Sequence, residues 1–183
     1  NDTFDIKAFI DTKKPKSALI LGGGYIGLEM AENLVKKNIR VTILQRSAQL
    51  LSGMLDPEMA AQVHNYLRAK GIRLCFNTHI ENILESDETA LAQTADENYE
   101  ADMIISAVGI TPESNLAKAA GLLLSEDGHI KVNQYMQTND ADIYALGHVG
   151  EVNSFINPAK EMSLPLAGPA NKEARLAADH IMG

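Results

Sequence analysis

A single cysteine stands in this sequence of 183 residues, and tryptophan is absent. With Cys75 alone, neither an internal disulfide nor a CxxC redox pair can form within the chain. Its setting in Ile72-Arg73-Leu74-Cys75-Phe76 is that of a buried structural thiol. Positive charge is scarce as well: 16 Lys and Arg against 24 Asp and Glu leave a formal charge of −8. Such a balance repels a phosphodiester backbone, and the sole basic cluster is Lys13, Lys14 and Lys16 around Pro15, so nucleic acid is not an expected partner. No apolar run approaches the roughly 18 residues that cross a bilayer, and the polar start Asn1-Asp2-Thr3 does not read as a signal peptide. A cytoplasmic protein with no membrane partner is expected. His64, His79, His129, His148 and His180 are scattered and form no HxxxH or HExxH pair, so a metal site is not expected.

What is present is a globular composition, 45% hydrophobic and 22% charged, in a chain long enough for one complete domain and part of a second. The run from Ser17 to Leu21 is apolar and ends in three glycines, which reads as a buried parallel strand entering a tight turn. From Tyr25 to Lys37, Leu28, Ala31, Leu34 and Val35 share one helical stripe, with Glu32, Lys36 and Lys37 opposite. Val41 to Leu44 is strand again, completing a βαβ unit. Asp56 caps a further helix with Pro57 at its first position, Met59, Ala60, Val63 and Leu67 on its inner face and Gly71 beyond its end. Ile72 to Phe76 is the next strand, and His79 to Glu85, Thr89 to Gln93 and Asn98 to Glu100 form a meander in place of a crossover helix. Asp102 to Val108 is another buried strand, broken by Gly109 to Pro112. Past it the spacing predicts a short helix at 113–120, small strands at 129–132 and 143–146, an unpatterned stretch at 153–165 and a helix at 167–182. The expected fold is α/β, a Rossmann-like parallel sheet with helices and a β-meander crossover, plus a partial second domain. The boundary is placed near residue 112.

The glycine turn carries the chemistry. Gly22, Gly24 and Gly27 form GxGxxG in Gly22-Gly23-Gly24-Tyr25-Ile26-Gly27, with a strand before it and a second strand at the right distance after it. Gly22 permits the turn, Gly24 lets backbone approach a pyrophosphate, and Gly27 lets helix pack on strand, while the free amides at the helix start meet the phosphates. Residues 22 to 27 are therefore candidates to bind NAD(H) or NADP(H). At the end of the second strand, where NAD-binding folds place an acid on the adenosine ribose, stands Gln45, followed by Arg46. The neutral amide can bond ribose hydroxyls without repelling a 2′-phosphate, and Arg46 can attract one, so the sequence leaves the choice between the two coenzymes open. Tyr66 and Lys70 match the YxxxK pair of short-chain dehydrogenases, but they lie on a helix whose apolar stripe already explains Tyr66, and the glycine spacing is not that family's.

Four segments, Gly22 to Ala31, Ser106 to Pro112, Ile143 to Gly147 and Leu164 to Asn171, together resemble the pyridine nucleotide-disulfide oxidoreductases. The Leu-Ala-Gly-Pro-Ala-Asn-Lys run is similar to the branch of coenzyme A-disulfide reductases, NADH oxidases and NADH peroxidases. The resemblance implies that Tyr25 covers the flavin at the nicotinamide pocket, that Glu29 approaches the nicotinamide end and that Val108 and Gly109 line that pocket. It implies a 1–112 NAD(P)H-binding domain with a leading helix and a 113–183 returning part of an FAD domain. An N-terminal FAD half with a redox cysteine and a C-terminal dimerisation domain would complete the protein, as a homodimer. The catalytic redox centre would then lie outside this chain, and the chain alone would bind nucleotide without turning over. On the flavin side the family has Gly-Asp where this chain has Gly147-His148, and the branch commonly shows Gln-Gly where Glu173-Ala174 stands here. A histidine offers fewer acceptors than a carboxylate. The alternative reading is a non-catalytic NAD(P)-binding sensor with a degenerate flavin site.

Overall fold

The computed structural model describes residues 2–86, 89–154, 156–157 and 161–183. These form two compact units, Asn1–Gly109 and Ile110–Gly183.

In the first unit the strand β1 (Ser17–Leu21) lies at the centre of a parallel sheet. It pairs with β2 (Arg40–Leu44) on one side and β7 (Met103–Ser106) on the other, with β3 (Arg73–Cys75) beyond β2. Ile20 stands opposite both Ile43 and Ile105. Successive side chains of β1 point to opposite faces, and both faces are covered. Ala18 and Ile20 join Ala31, Leu34, Val41 and Ile43 in the core beneath the helices α2 (Tyr25–Lys36) and α3 (Pro57–Ala69). Leu19 and Leu21 join Leu44, Ala92, Tyr99 and Ala101 in a second core. That second core is roofed by the antiparallel meander β4 (Ile80–Glu85), β5 (Ala90–Thr94) and β6 (Asn98–Ala101). The expected α/β sheet with a meander crossover is therefore what forms.

The leading helix α1 (Asp2–Lys13) buries none of its residues fully, but Ile6 and Ile10 rest on the first core. Asp102 ties the start of β1 to the start of β7: its carboxylate accepts from the Lys16 and Ser17 amides at 2.5 and 2.9 Å, and its own amide donates to Ser17 Oγ. The Lys16 bond, above all, holds the Asp102 carboxyl below its ordinary pKa. The Asp56 cap forms as expected, accepting from the Met59 amide at 2.9 Å. Met59 itself does not face inward. It is 55% exposed, because the buried stripe of α3 runs through Ala60, Val63, His64 and Leu67 and leaves position 59 on its flank. Cys75 is half-buried rather than buried, packed at the edge of the second core.

The second unit holds α4 (Asn115–Ala119), β8 (Ile130–Lys131), a 3-10 turn at Gly147–Val149, β9 (Gly150–Asn153), β10 (Glu161–Met162) and α5 (Ala167–Met182). Its sheet has the order β10-β9-β8 around a small core of Ala117, Ile130 and Ala145. The strand expected at 143–146 reduces to one bridge between Gln137 and Tyr144, after which Gly147, at φ +70°, turns the chain. The stretch 153–165, expected to lack a pattern, contributes β10, while residues 155 and 158–160 of it lie outside the described residues. The compact units part at Gly109 and Ile110, three residues before the boundary expected at 112. Among the described residues no helix is long and apolar enough to cross a membrane.

Candidate functional site

The glycine turn joins the buried end of β1 to the first turn of α2. Gly22 has φ +100°, and a β-carbon there would lie 2.4 Å from the Ala107 carbonyl oxygen, so both its conformation and its surroundings require glycine. A β-carbon on Gly27 would lie 2.1 Å from the Gly22 carbonyl oxygen; this is how closely α2 packs on the turn. Gly24 differs from both. It is the N-cap of α2 with φ −85° and no side-chain cap, and a β-carbon built on it meets nothing of the chain within 4 Å. The amides of Gly24, Tyr25, Ile26 and Gly27 donate to no group among the described residues. These are the orphan donors of a helix start, and with the helix dipole they make a favourable place for an anion.

The rest of the turn is tied down by Gln45, which the sequence marked for a different role, and by Leu50, Leu51 and His64, which it did not mark. Gln45, just past β2, accepts from the Gly23 amide at 2.7 Å through Oε1, and its Nε2 donates to Ser47 Oγ at 2.6 Å and to the Gln49 carbonyl at 3.2 Å. Its amide, expected to bond ribose hydroxyls, is thus spent on the turn and on its own loop. Leu50 is fully buried against Gly23, and the Leu51 amide donates to the Gly23 carbonyl at 2.9 Å. The Leu50 amide in turn donates to His64 Nε2 at 3.1 Å. The apolar Leu50-Leu51 pair in the loop between β2 and α3 is the sequence signal for this strap.

Beside the turn, at the end of β2, is a cavity of about 450 Å³ lined in part by Gly22, Gln45, Arg46, Ser47, Ser52 and His79. Val108 also lines it and is 75% exposed; Gly109 follows at φ +146°. Tyr25 and Glu29 are exposed on α2. The structure therefore brings Gly22, Gln45, Arg46 and Val108 to one cavity and sets Gly23 and Gly24 beside it on the turn.

In the second unit the Gly147 amide donates to Glu173 Oε2 at 2.6 Å, and the His148 carbonyl accepts from His129 Nδ1 and Ser163 Oγ. The carboxylate nearest this turn in the hydrogen bonding is thus one from α5, and it accepts from backbone. No group of three metal-ligating side chains occurs among the described residues. Tyr66 and Lys70 stand together, the ammonium 5.3 Å from the ring centroid, as an exposed cation–π pair on α3.

Residues 3–173 match the family described as pyridine nucleotide-disulphide oxidoreductase. An NADH oxidase of Methanocaldococcus jannaschii is 34% identical over 97% of this chain and 39% of its own length. The reduced Bacillus anthracis CoADR-RHD structure superposes with TM-score 0.91 and 42% identity, covering 98% of this chain and 32% of that one. An engineered water-forming NADPH oxidase bound to NADPH, made from the Lactobacillus brevis NADH oxidase, superposes with TM-score 0.84 and 27% identity over 94% of this chain and 38% of that one. Its changes replace an Asp and the next two residues by Ala, Arg and Ser, at the same distance after an altered glycine as Gln45-Arg46-Ser47 stand after Gly27. The chain spans about 40% of the curated relatives it matches.

Proposed function

Because this chain belongs to the pyridine nucleotide-disulphide oxidoreductase family, we propose that it is the NAD(P)H-binding part of an FAD-dependent oxidoreductase. The observation that carries the reading is the opening at Gly24: four amides without partners at the start of α2, and a glycine whose missing side chain leaves room for something other than the chain itself. A diphosphate fits such a place in charge and in hydrogen-bonding capacity. The adenosine end then points toward Arg46 in the cavity after β2, and the nicotinamide end toward Tyr25, Glu29 and Gly109, with Val108 on the wall of that same cavity. Residues 1–112 serve as the nucleotide domain and 113–183 as a returning part of the flavin domain. In the whole protein, a homodimer on this reading, bound FAD would supply the hydride acceptor, with a disulfide, peroxide or oxygen as the final oxidant. The contribution of this chain is to bind and orient the reductant.

Gly147 and His148 favour a second reading for the parent protein, a nucleotide sensor, since the backbone amide there is already capped by Glu173. Two measurements separate the outcomes. Titration of this chain with NADH and NADPH, read by nicotinamide fluorescence, is expected to show saturable binding of at least one; binding of neither removes the proposal. The whole protein is expected to be yellow and to bleach on anaerobic addition of coenzyme, whereas a colourless protein that still binds coenzyme is the sensor.

A further inference from the structure

We propose that the chain selects NADPH over NADH, with Arg46 and the backbone amides of Arg46 and Ser47 holding the 2′-phosphate. This rests on the reading that the glycine turn holds a dinucleotide. The adenosine ribose of such a ligand lies at the end of β2, and an NADH site needs an acceptor there for the ribose hydroxyls. Gln45 stands in that position as a neutral amide, not a carboxylate: its Oε1 already takes the Gly23 amide, and both Nε2 hydrogens go to Ser47 Oγ and the Gln49 carbonyl. It holds the turn in shape and brings no negative charge to repel a phosphate.

Arg46 is exposed at the mouth of the cavity, and among the described residues no carboxylate pairs with it. Its backbone amide and that of Ser47 donate to no group among the described residues. A guanidinium and two amides without partners, on adjacent residues lining one cavity, are donors of the kind the several oxygens of a phosphate monoester take. His79 adds a second nitrogenous side chain to the same wall, and Ser52 a hydroxyl. In a chain of net charge −8, no Asp or Glu among the described residues lines this cavity. By contrast the large surface hollow beside α1 includes Asp5, Glu85 and Asp102. The engineered oxidase that binds NADPH was given Arg and Ser at the spacing where Arg46 and Ser47 occur here, and lost an Asp where Gln45 stands.

The test is titration of this 183-residue chain with NADPH and with NADH at constant ionic strength, beside Arg46→Ala. Arg46 makes no contact that the fold uses, so its removal leaves the chain folded. NADPH is expected to bind tighter by roughly ten- to a hundredfold, the range of a charge-assisted hydrogen-bonded pair. In Arg46→Ala the NADPH-to-NADH ratio is expected to collapse toward one. Equal binding of the two coenzymes, tighter binding of NADH, or a preference that survives Arg46→Ala overturns the proposal while leaving the dinucleotide reading intact. Binding of neither coenzyme defeats the dinucleotide reading itself.

Discussion

At Gly24 the backbone has a φ of −85°, open to any residue, and a side chain there would touch nothing of the chain. A substitution at this position therefore separates ligand from fold. Gly24→Val is expected to melt within about 1 kcal/mol of the parent, the ordinary cost of changing an uncapped helix start. Coenzyme binding, however, is expected to disappear, because the new methyl groups occupy the open space beside the amides that start α2. Gly22→Ala is the opposite case: at φ +100°, with the Ala107 carbonyl 2.4 Å from the new carbon, it strains the turn directly and is expected to lower stability by about 1–3 kcal/mol. Thermal melts paired with a coenzyme titration distinguish the two, and unaltered NADPH affinity in Gly24→Val would remove the diphosphate from the turn. The sequence marked both glycines through strand-turn-helix spacing. It could not show that Gln45 spends its amide on Gly23, because a side chain's partner depends on the loop beyond it, and residues 47–51 carry no periodic signal.

That loop is held as an element by a bond from α3. The Leu50 amide donates to His64 Nε2, which can accept only while that nitrogen is unprotonated. Burial first, and Arg68 second, hold the His64 pKa below its ordinary 6.5. As pH falls below 6.5 the unfolded chain takes up a proton that the folded chain does not, so the stability this group confers is lost in that direction. Melting temperature is expected to decline between about pH 7.5 and pH 5.5 and to decline less in His64→Ala, which itself should be less stable by about 1 kcal/mol at the higher pH for want of the Leu50 partner. An equal slope in both proteins would show that His64 does not carry the strap. The elements around it were largely legible. The apolar run of β1, the stripe of α2 and the Asp56-Pro57 start of α3 each declare themselves within a few residues. Less legible were β9 and β10, whose short strands exist only through pairing with Ile130–Lys131 and with each other across some ten to twenty residues. The apolar run at 143–146 looked more like a strand than either, yet it lacks a ladder partner beyond Gln137.

Over the whole molecule, the function proposed above asks this chain to bind the reductant and leaves the redox step to a centre elsewhere in the protein. Its sole thiol, Cys75, is half-buried at the end of β3 with no second cysteine to share a disulfide. At Gly147 the backbone amide is engaged by Glu173. Both facts separate binding from turnover, and the two are measurable on one sample. With coenzyme at about a hundredfold its dissociation constant, linkage adds about 2.7 kcal/mol to the folded state that binds it, so the chain is expected to melt at a higher temperature in NADPH. In the same buffer it is expected to oxidise NADPH with coenzyme A disulfide no faster than free FAD alone does, since nothing in the chain relays electrons from a flavin to a sulfur. Stabilisation without turnover is the signature of a positioning module, and sustained turnover by the 183 residues would mean that Cys75, not a centre elsewhere in the protein, carries the redox step.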